Sequence, residues 1–255
     1  MNPMLLEVAG LTKHFGGVKA VEAVDLGVDP GEALGIIGPN GAGKTTLINL
    51  ISGHFKPDAG RVRFDGADVT GMPPHALAGR GVARTFQGVR LFKGLTVLEN
   101  VLVGRHVRMR SDVLARLVPR RRAASRDEAR AVGLLDRVEL GRRARDLAGE
   151  LSYGDQRRLE VARALASEPK LLILDEPAAG TNRAESAALR DLMRELREQG
   201  LAVVLIEHDV RLVMGACQRV AVLNFGRKIA EGTPAEVQAD PAVREAYLGA
   251  EEATA

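Results

Sequence analysis

Residues 38–46 read GPNGAGKTT, a glycine-rich run that ends in a lysine and two hydroxyls. The spacing G-x-x-x-x-G-K-[ST] puts Gly38, Gly41 and Gly43 where bare backbone can curl around a phosphate chain. Pro39, Asn40 and Ala42 fill the positions between them, and the loop's N–H groups converge on the anion. Lys44 adds a point charge for the β- and γ-phosphates. The Thr45 hydroxyl is a natural Mg²⁺ ligand, and Thr46 closes the run. This pattern predicts a nucleoside triphosphate site.

A second chemical motif is LLILDEP at 171–177. An apolar strand that ends in two adjacent acids is costly to bury unless a cation compensates them, and Mg²⁺–nucleotide supplies one. Side chains alternate along a strand, so Asp175 and Glu176 are expected to take different roles. Asp175 is assigned to the Mg²⁺ shell. Glu176 is assigned to the γ-phosphate side, where a carboxylate orients and deprotonates the attacking water. His208 ends another apolar strand, LIEHD; a lone histidine is most often structural, but this sheet edge suits a γ-phosphate contact. Gln87, in ARTFQ, follows a short apolar strand, and a single glutamine there is most often a surface amide. In LSYGDQRRLEVARAL, Ser152 is expected to cap a helix with Asp155 at the capping-box spacing, and Gly154 leaves the backbone open. Two readings stand for that segment, an ordinary capped helix or a second anion site.

These residues need elements that bring them to one edge. ALGIIG before the glycines reads as a buried strand, and TTLINLIS after them as a helix whose N-terminus faces the phosphates. Short strands with turn signals fill the first 80 or so positions: LLEVAGL, VEAVDLGV, RVRFDG. Asp-Pro-Gly at 29–31 and Asp-Gly at 65–66 mark turns. From Thr96 to about Leu151 the pattern is helical, with TVLENVLVG and then an Arg- and Ala-rich stretch holding Pro119. Beyond Asp155, helices and strands alternate: DQRRLEVARALAS, KLLILDE, RAESAALRDLMRELREQ, LAVVLIEHD, a further helix, RVAVLN. Such alternation implies α/β architecture with a mostly parallel sheet. Ligands then sit beyond the carboxyl ends of the strands, where the glycine loop, LLILDE and LIEHD all arrive.

Composition narrows the class. A chain of 255 residues can hold one nucleotide-binding domain with a helical subdomain. Aromatics are 3% with no Trp, which argues against stacking platforms for single-stranded nucleic acid. The formal net charge is +3, with a basic cluster at Arg116, Arg120, Arg121, Arg122 and Arg126. That cluster reads as a solvated face; the alternative is an anionic lipid leaflet, at about 1 kcal/mol per basic residue. The single cysteine, Cys217, excludes an internal disulfide and reads as a buried thiol in an apolar helix. No signal peptide is read at the N-terminus, and no apolar run reaches the ~18–20 residues of a membrane span. The expectation is a cytoplasmic protein whose membrane role comes through partners.

A phosphate loop, then Gln87 after a strand, then an LSxG-type signature, LLILDEP and a strand-ending His, in that order, resembles the ATP-binding subunits of ABC transporters over roughly residues 4–250. The resemblance implies a P-loop NTPase core with an N-terminal antiparallel β subdomain. It divides the single domain into a nucleotide-binding core (1–95 and 165–255) and a helical signature subdomain (96–164). It further implies that two subunits sandwich two ATPs, each lying between one phosphate loop and the other subunit's signature, so that Ser152 and Gly154 meet the partner's nucleotide. Phe15 would stack on adenine, Gln87 would link Mg²⁺ to the transmembrane partner, and His208 would sense the γ-phosphate. Arg90, Leu91 and Phe92 would face that partner's coupling helix.

ARTFQGVRLFKGLTVLENV, LSYGDQRRLE, DEPAAG, IEHDVRLVM and REAYLGAE resemble the branched-chain amino acid importer's ATPase. Its implied partners are permeases, a second related ATPase or a second copy, and indirectly a substrate-binding protein, with no nucleic acid. The chain would work at the cytoplasmic face of the plasma membrane. The lipopolysaccharide-export ATPase is the alternative within the family, and a soluble non-transport ABC ATPase the alternative outside transport. Tyr153 and Asp155 depart from the common LSGGQ. In AAGTNRAE, Thr181 and Arg183 replace the family's apolar residue and proline, and losing that proline frees the turn by about 0.4–1 kcal/mol of chain entropy.

Overall fold

The structure is a computed structural model and describes residues 4–109 and 120–252. In chain order its strands are β1 (Leu6–Phe15), β2 (Val18–Val28), β3 (Ala33–Ile37), β4 (Ala59–Phe64), β5 (Ala67–Asp68), β6 (Val82–Arg84), β7 (Leu171–Asp175), β8 (Ala202–Ile206), β9 (Arg219–Asn224) and β10 (Arg227–Gly232). Its helices are α1 (Lys44–Ile51), α2 (Pro74–Arg80), α3 (Val97–Met109), α4 (Arg120–Arg137), α5 (Tyr153–Leu165), α6 (Arg183–Glu198), α7 (Val210–Ala216), α8 (Pro234–Ala239) and α9 (Pro241–Glu252). The chain divides into two units, residues 1–77 with 193–255 and residues 78–192.

The first unit holds the expected antiparallel β subdomain, in strand order β2-β1-β4-β5. Beside it β3 runs parallel to both β8 and β9, and β10 closes that edge antiparallel to β9. All five residues of β3 and of β8 are buried, as continuous apolar runs in a parallel sheet require. β1 and β2 are longer than the apolar segments that announce them. They continue through Lys13, His14 and Lys19 to a tight hairpin in which Phe15 pairs with Val18. Those polar residues read as loop because this stretch is largely solvent-facing; main-chain pairing carries the strands across it, with the Asp58 carboxylate accepting from the Lys13 ammonium and the His14 N–H, both at 2.7 Å. Asp65 and Gly66, both at positive φ, make the expected turn between β4 and β5.

In the second unit β6 and β7 pair in parallel. Around them α3, α4 and α5 share a buried cluster of Val97, Val101, Leu135, Leu140, Leu151 and Leu159. Arg116 and Pro119 lie outside the described residues, and Arg120 begins α4. No helix among the described residues is long and apolar enough to cross a membrane.

Candidate functional site

In the first unit the phosphate loop leaves the end of β3 and enters α1. Three glycines turn it, at φ 150° for Gly38, 78° for Gly41 and 97° for Gly43. Two of them also answer a steric demand. A Cβ on Gly38 would sit 2.1 Å from the Leu223 carbonyl oxygen, and one on Gly43 would sit 2.3 Å from the Ala20 carbonyl oxygen. No side chain caps α1 and its first turn carries no acid, so its dipole end faces the loop uncompensated. The Lys44 ammonium folds back over the loop and donates to the carbonyls of Gly38 (2.6 Å) and Pro39 (3.0 Å). Asn40 and Thr45 are exposed and Thr46 is half-buried.

Three further candidates belong to this unit. Phe15 is 44% exposed, with the edge of Phe55 at 5.4 Å and the Lys13 ammonium 5.6 Å from its ring centre. His208 follows β8 with its side chain largely exposed, 3.7 Å from the carboxylate of the fully buried Glu207. Tyr247, on α9, accepts the Gly38 N–H, and burial raises the pKa of its phenol.

In the second unit β7 delivers Asp175 buried and Glu176 half-buried. The Arg84 guanidinium lies 2.7 Å from Asp175 Oδ2 and compensates that carboxylate, a partner distinct from the Mg²⁺–nucleotide expected at this strand end. Glu176 is held at φ 49°, an uncommon backbone region for a residue with a side chain. The Gln87 amide donates to Glu176 Oε2 at 2.9 Å. Ser152 caps α5 as expected, its hydroxyl accepting the Asp155 N–H at 3.2 Å. The box is one-sided, because Asp155 turns instead to Arg143 (3.0 Å) and Arg158 (2.5 Å). Gly154 lies under a carboxylate, and a Cβ there would meet Glu185 Oε1 at 2.5 Å.

The turn that lacks its proline is closed by other means. Asn182 Oδ1 caps α6, accepting the N–H groups of Ala184 (2.9 Å) and Glu185 (3.0 Å). The Glu185 carboxylate reaches back to the Asn182 N–H at 2.9 Å. The Thr181 hydroxyl donates to the Ala178 carbonyl at 2.8 Å. Those local bonds, each contributing about 0.5–1.5 kcal/mol, offset the entropy that proline would have removed.

Residues 21–179 match the model of the ABC transporter family. The chain belongs to that family. Residues 227–253 also match the branched-chain amino acid ATP-binding cassette transporter model. The chain is 45% identical over 253 residues to the high-affinity branched-chain amino acid transport ATP-binding protein BraF of Pseudomonas aeruginosa, covering 98% of this chain and 99% of BraF. LivG of Escherichia coli strain K12, named for the same transport, is 44% identical over the same shares. The lipopolysaccharide export system ATP-binding protein LptB of Haemophilus influenzae is more distant, at 36% with 96% of this chain and 97% of LptB covered. Among solved structures, the ADP conformation of MJ1267, an ATP-binding cassette of an ABC transporter, superposes with a TM-score of 0.85. It is 34% identical, covering 97% of this chain and 100% of MJ1267.

Within this ABC fold, each unit gathers its own share of the expected residues: Phe15, Gly38 to Thr46 and His208 in the first, Gln87, Ser152, Gly154, Asp175 and Glu176 in the second. Arg84, Arg157, Glu160, Glu185, Glu207 and Tyr247 join these residues without a motif in the sequence to announce them. Only Glu185 left a local trace, three residues after an Asn at a helix start. Arg84, Arg157, Glu160 and Tyr247 act across long sequence separations and leave no periodic signal.

Proposed function

We propose that this chain is the ATP-binding and ATP-hydrolysing subunit that powers an importer for branched-chain or related amino acids. One observation carries the reading: a glycine loop at the uncapped N-terminus of α1, in a chain 45% identical to BraF along nearly its whole length. Gly38, Gly41 and Gly43 let the loop of residues 38–46 wrap the phosphates, and Lys44 turns from its carbonyl partners to the β- and γ-phosphates. Phe15, exposed at the end of β1, stacks on adenine. Thr45, Gln87 and Asp175 would hold Mg²⁺; all offer oxygen donors, which suit a hard cation. The chemistry such an ion would supply is neutralisation of charge on the phosphate oxygens. Glu176 takes the proton as water attacks the γ-phosphorus and the bond to ADP breaks, while His208 contacts the γ-phosphate. Ser152 and Gly154 meet the nucleotide of the second subunit.

On this reading the chain works as a dimer, with itself or with a related ATPase, against permeases at the cytoplasmic face of the plasma membrane. A substrate-binding protein supplies the solute indirectly. Phe92, 51% exposed, and its neighbours Arg90 and Leu91 receive the permease. The match of residues 227–253 and the higher identity to BraF and LivG favour the importer over lipopolysaccharide export. The test is a tagged pull-down from detergent-solubilised membranes of the native host. Permeases with a second ATPase support the reading. Lipopolysaccharide-transport components, or nucleic acid without membrane protein, overturn it.

A further inference from the structure

Residues 86–92 carry Gln87 and the exposed Phe92, yet they belong to no strand or helix. Their main chain is strapped down by side chains from two helices instead. At one end the Arg157 guanidinium, on α5, spans two successive carbonyls, donating to Phe86 O (2.7 Å) and to Gln87 O. In the middle Glu160, one turn along the same helix, accepts the Arg90 N–H at 3.3 Å, and Arg163 donates to the Arg90 carbonyl. At the far end the buried Asn100, on α3, accepts the Phe92 N–H and donates to the Phe92 carbonyl, both at 3.0 Å. Arg157 also donates to the Tyr153 hydroxyl at 2.8 Å, within the LSYGD signature.

The cost of this arrangement argues for a purpose other than stability. Arg157 and Glu160 have side chains only 5% and 2% exposed, and their ion pair is loose at 3.8 Å. Arg157 Nε and Glu160 Oε2 find no hydrogen-bond partner among the described residues. Burial raises the Glu160 pKa and lowers that of Arg163, the direction expected of charges imperfectly compensated. A buried pair with orphaned atoms is a poor stabilising device, and apolar residues would pack the same space at less cost. What the pair secures is the path of residues 86–90, and from that path the Gln87 amide reaches Glu176 Oε2 at 2.9 Å.

We infer that Arg157, assisted by Glu160, is a positioning residue for ATP hydrolysis: it ties the signature helix to the main chain of Gln87 and thereby holds the Gln87 amide on the Glu176 carboxylate. The inference rests on the ATPase reading above. It makes the signature and the catalytic carboxylate one mechanical unit, linked through Tyr153, Arg157, Gln87 and Glu176 in turn. Lysine cannot replace Arg157, because one ammonium does not reproduce a planar fork set across two carbonyls.

The test is a double-mutant cycle on the purified full-length chain with Arg157→Met and Gln87→Ala, read by steady-state ATP hydrolysis and by nucleotide affinity. Arg157→Met is expected to lower kcat by about ten- to a hundredfold, the scale of a 1 Å misplacement at a reacting centre. Nucleotide affinity should stay within about twofold, since the phosphate loop is untouched. The double variant should be no slower than the slower single variant, because both changes break one link. Losses that multiply, or an unchanged kcat in Arg157→Met, overturn the inference. If Arg157→Met does not fold, Arg157→Lys enters the same cycle with the same expectation of partial loss and non-additivity. Amide hydrogen exchange gives a readout independent of turnover. Residues 86–91 should exchange faster in either variant than in the wild type, and unchanged protection contradicts the strap even if the chain hydrolyses nothing. A wild-type chain without ATPase activity contradicts the functional reading instead.

Discussion

Glu176 and Asp175 stand side by side at the end of β7, yet their surroundings separate them. Asp175 is buried against Arg84, while Glu176 is half-buried, backbone-strained and touched by the Gln87 amide. A general base needs the second environment. Glu176→Gln should therefore keep ATP affinity and lose about 10²–10⁴-fold in hydrolysis, checked by single-turnover assays beside equilibrium binding. Near-normal hydrolysis would remove Glu176 from its role. Cys217 gives a different residue-scale test. It is the buried C-cap of α7, and burial pushes its thiol up to about 12. A pKa raised above 9.0 on folding means that this group's stability contribution is present below pH 9 and is lost as pH rises toward 12. At pH 8 the native chain should resist alkylation by iodoacetamide and take up one equivalent in urea; stoichiometric labelling of the native chain contradicts the burial. Both acids and the buried thiol were legible from residue type and context. Arg84 was not, because nothing local in ARTFQ says which carboxylate, 91 positions later, its guanidinium will meet.

At the scale of elements, the buried strands and the helices were legible wherever hydrophobic period was strong. The apolar runs of β3, β7, β8 and β9 and the α5 cap all stand where the pattern puts them. The extended halves of β1 and β2 were hidden by a half-buried Lys13 and by exposed His14 and Lys19, since pairing there uses main chain and leaves side chains free to be polar. The strap on residues 86–92 was hidden for a related reason: side chains bonding to distant main chain obey no local rule. The turn before α6 shows how a departure from a family pattern can be locally compensated. There Asn182 and Glu185 form a reciprocal cap in place of the missing proline. Asn182→Ala should destabilise the chain by about 0.5–2 kcal/mol, the usual cost of a lost N-cap, measured by urea denaturation. A stability unchanged within error would show that the turn is held by packing alone.

For the whole molecule, the identity to BraF and LivG covers 98% of the chain and so runs through both units, and on the proposed reading the phosphate loop and the signature are complementary halves of a two-nucleotide assembly. The signature was the least explicable part of the sequence taken alone, because one chain has no evident use for a second anion site. The proposed partner subunit would supply that use. The solute itself is not written in these residues, since no part of the proposed site touches it. The most direct measurement is therefore uptake of radiolabelled leucine, isoleucine and valine by native-host cells in which this chain is replaced by its Lys44→Ala variant. If Lys44 binds the nucleotide that powers import, uptake through this system falls to background while the variant chain still accumulates and still co-purifies with permeases. Uptake of all three amino acids at the wild-type rate would contradict it.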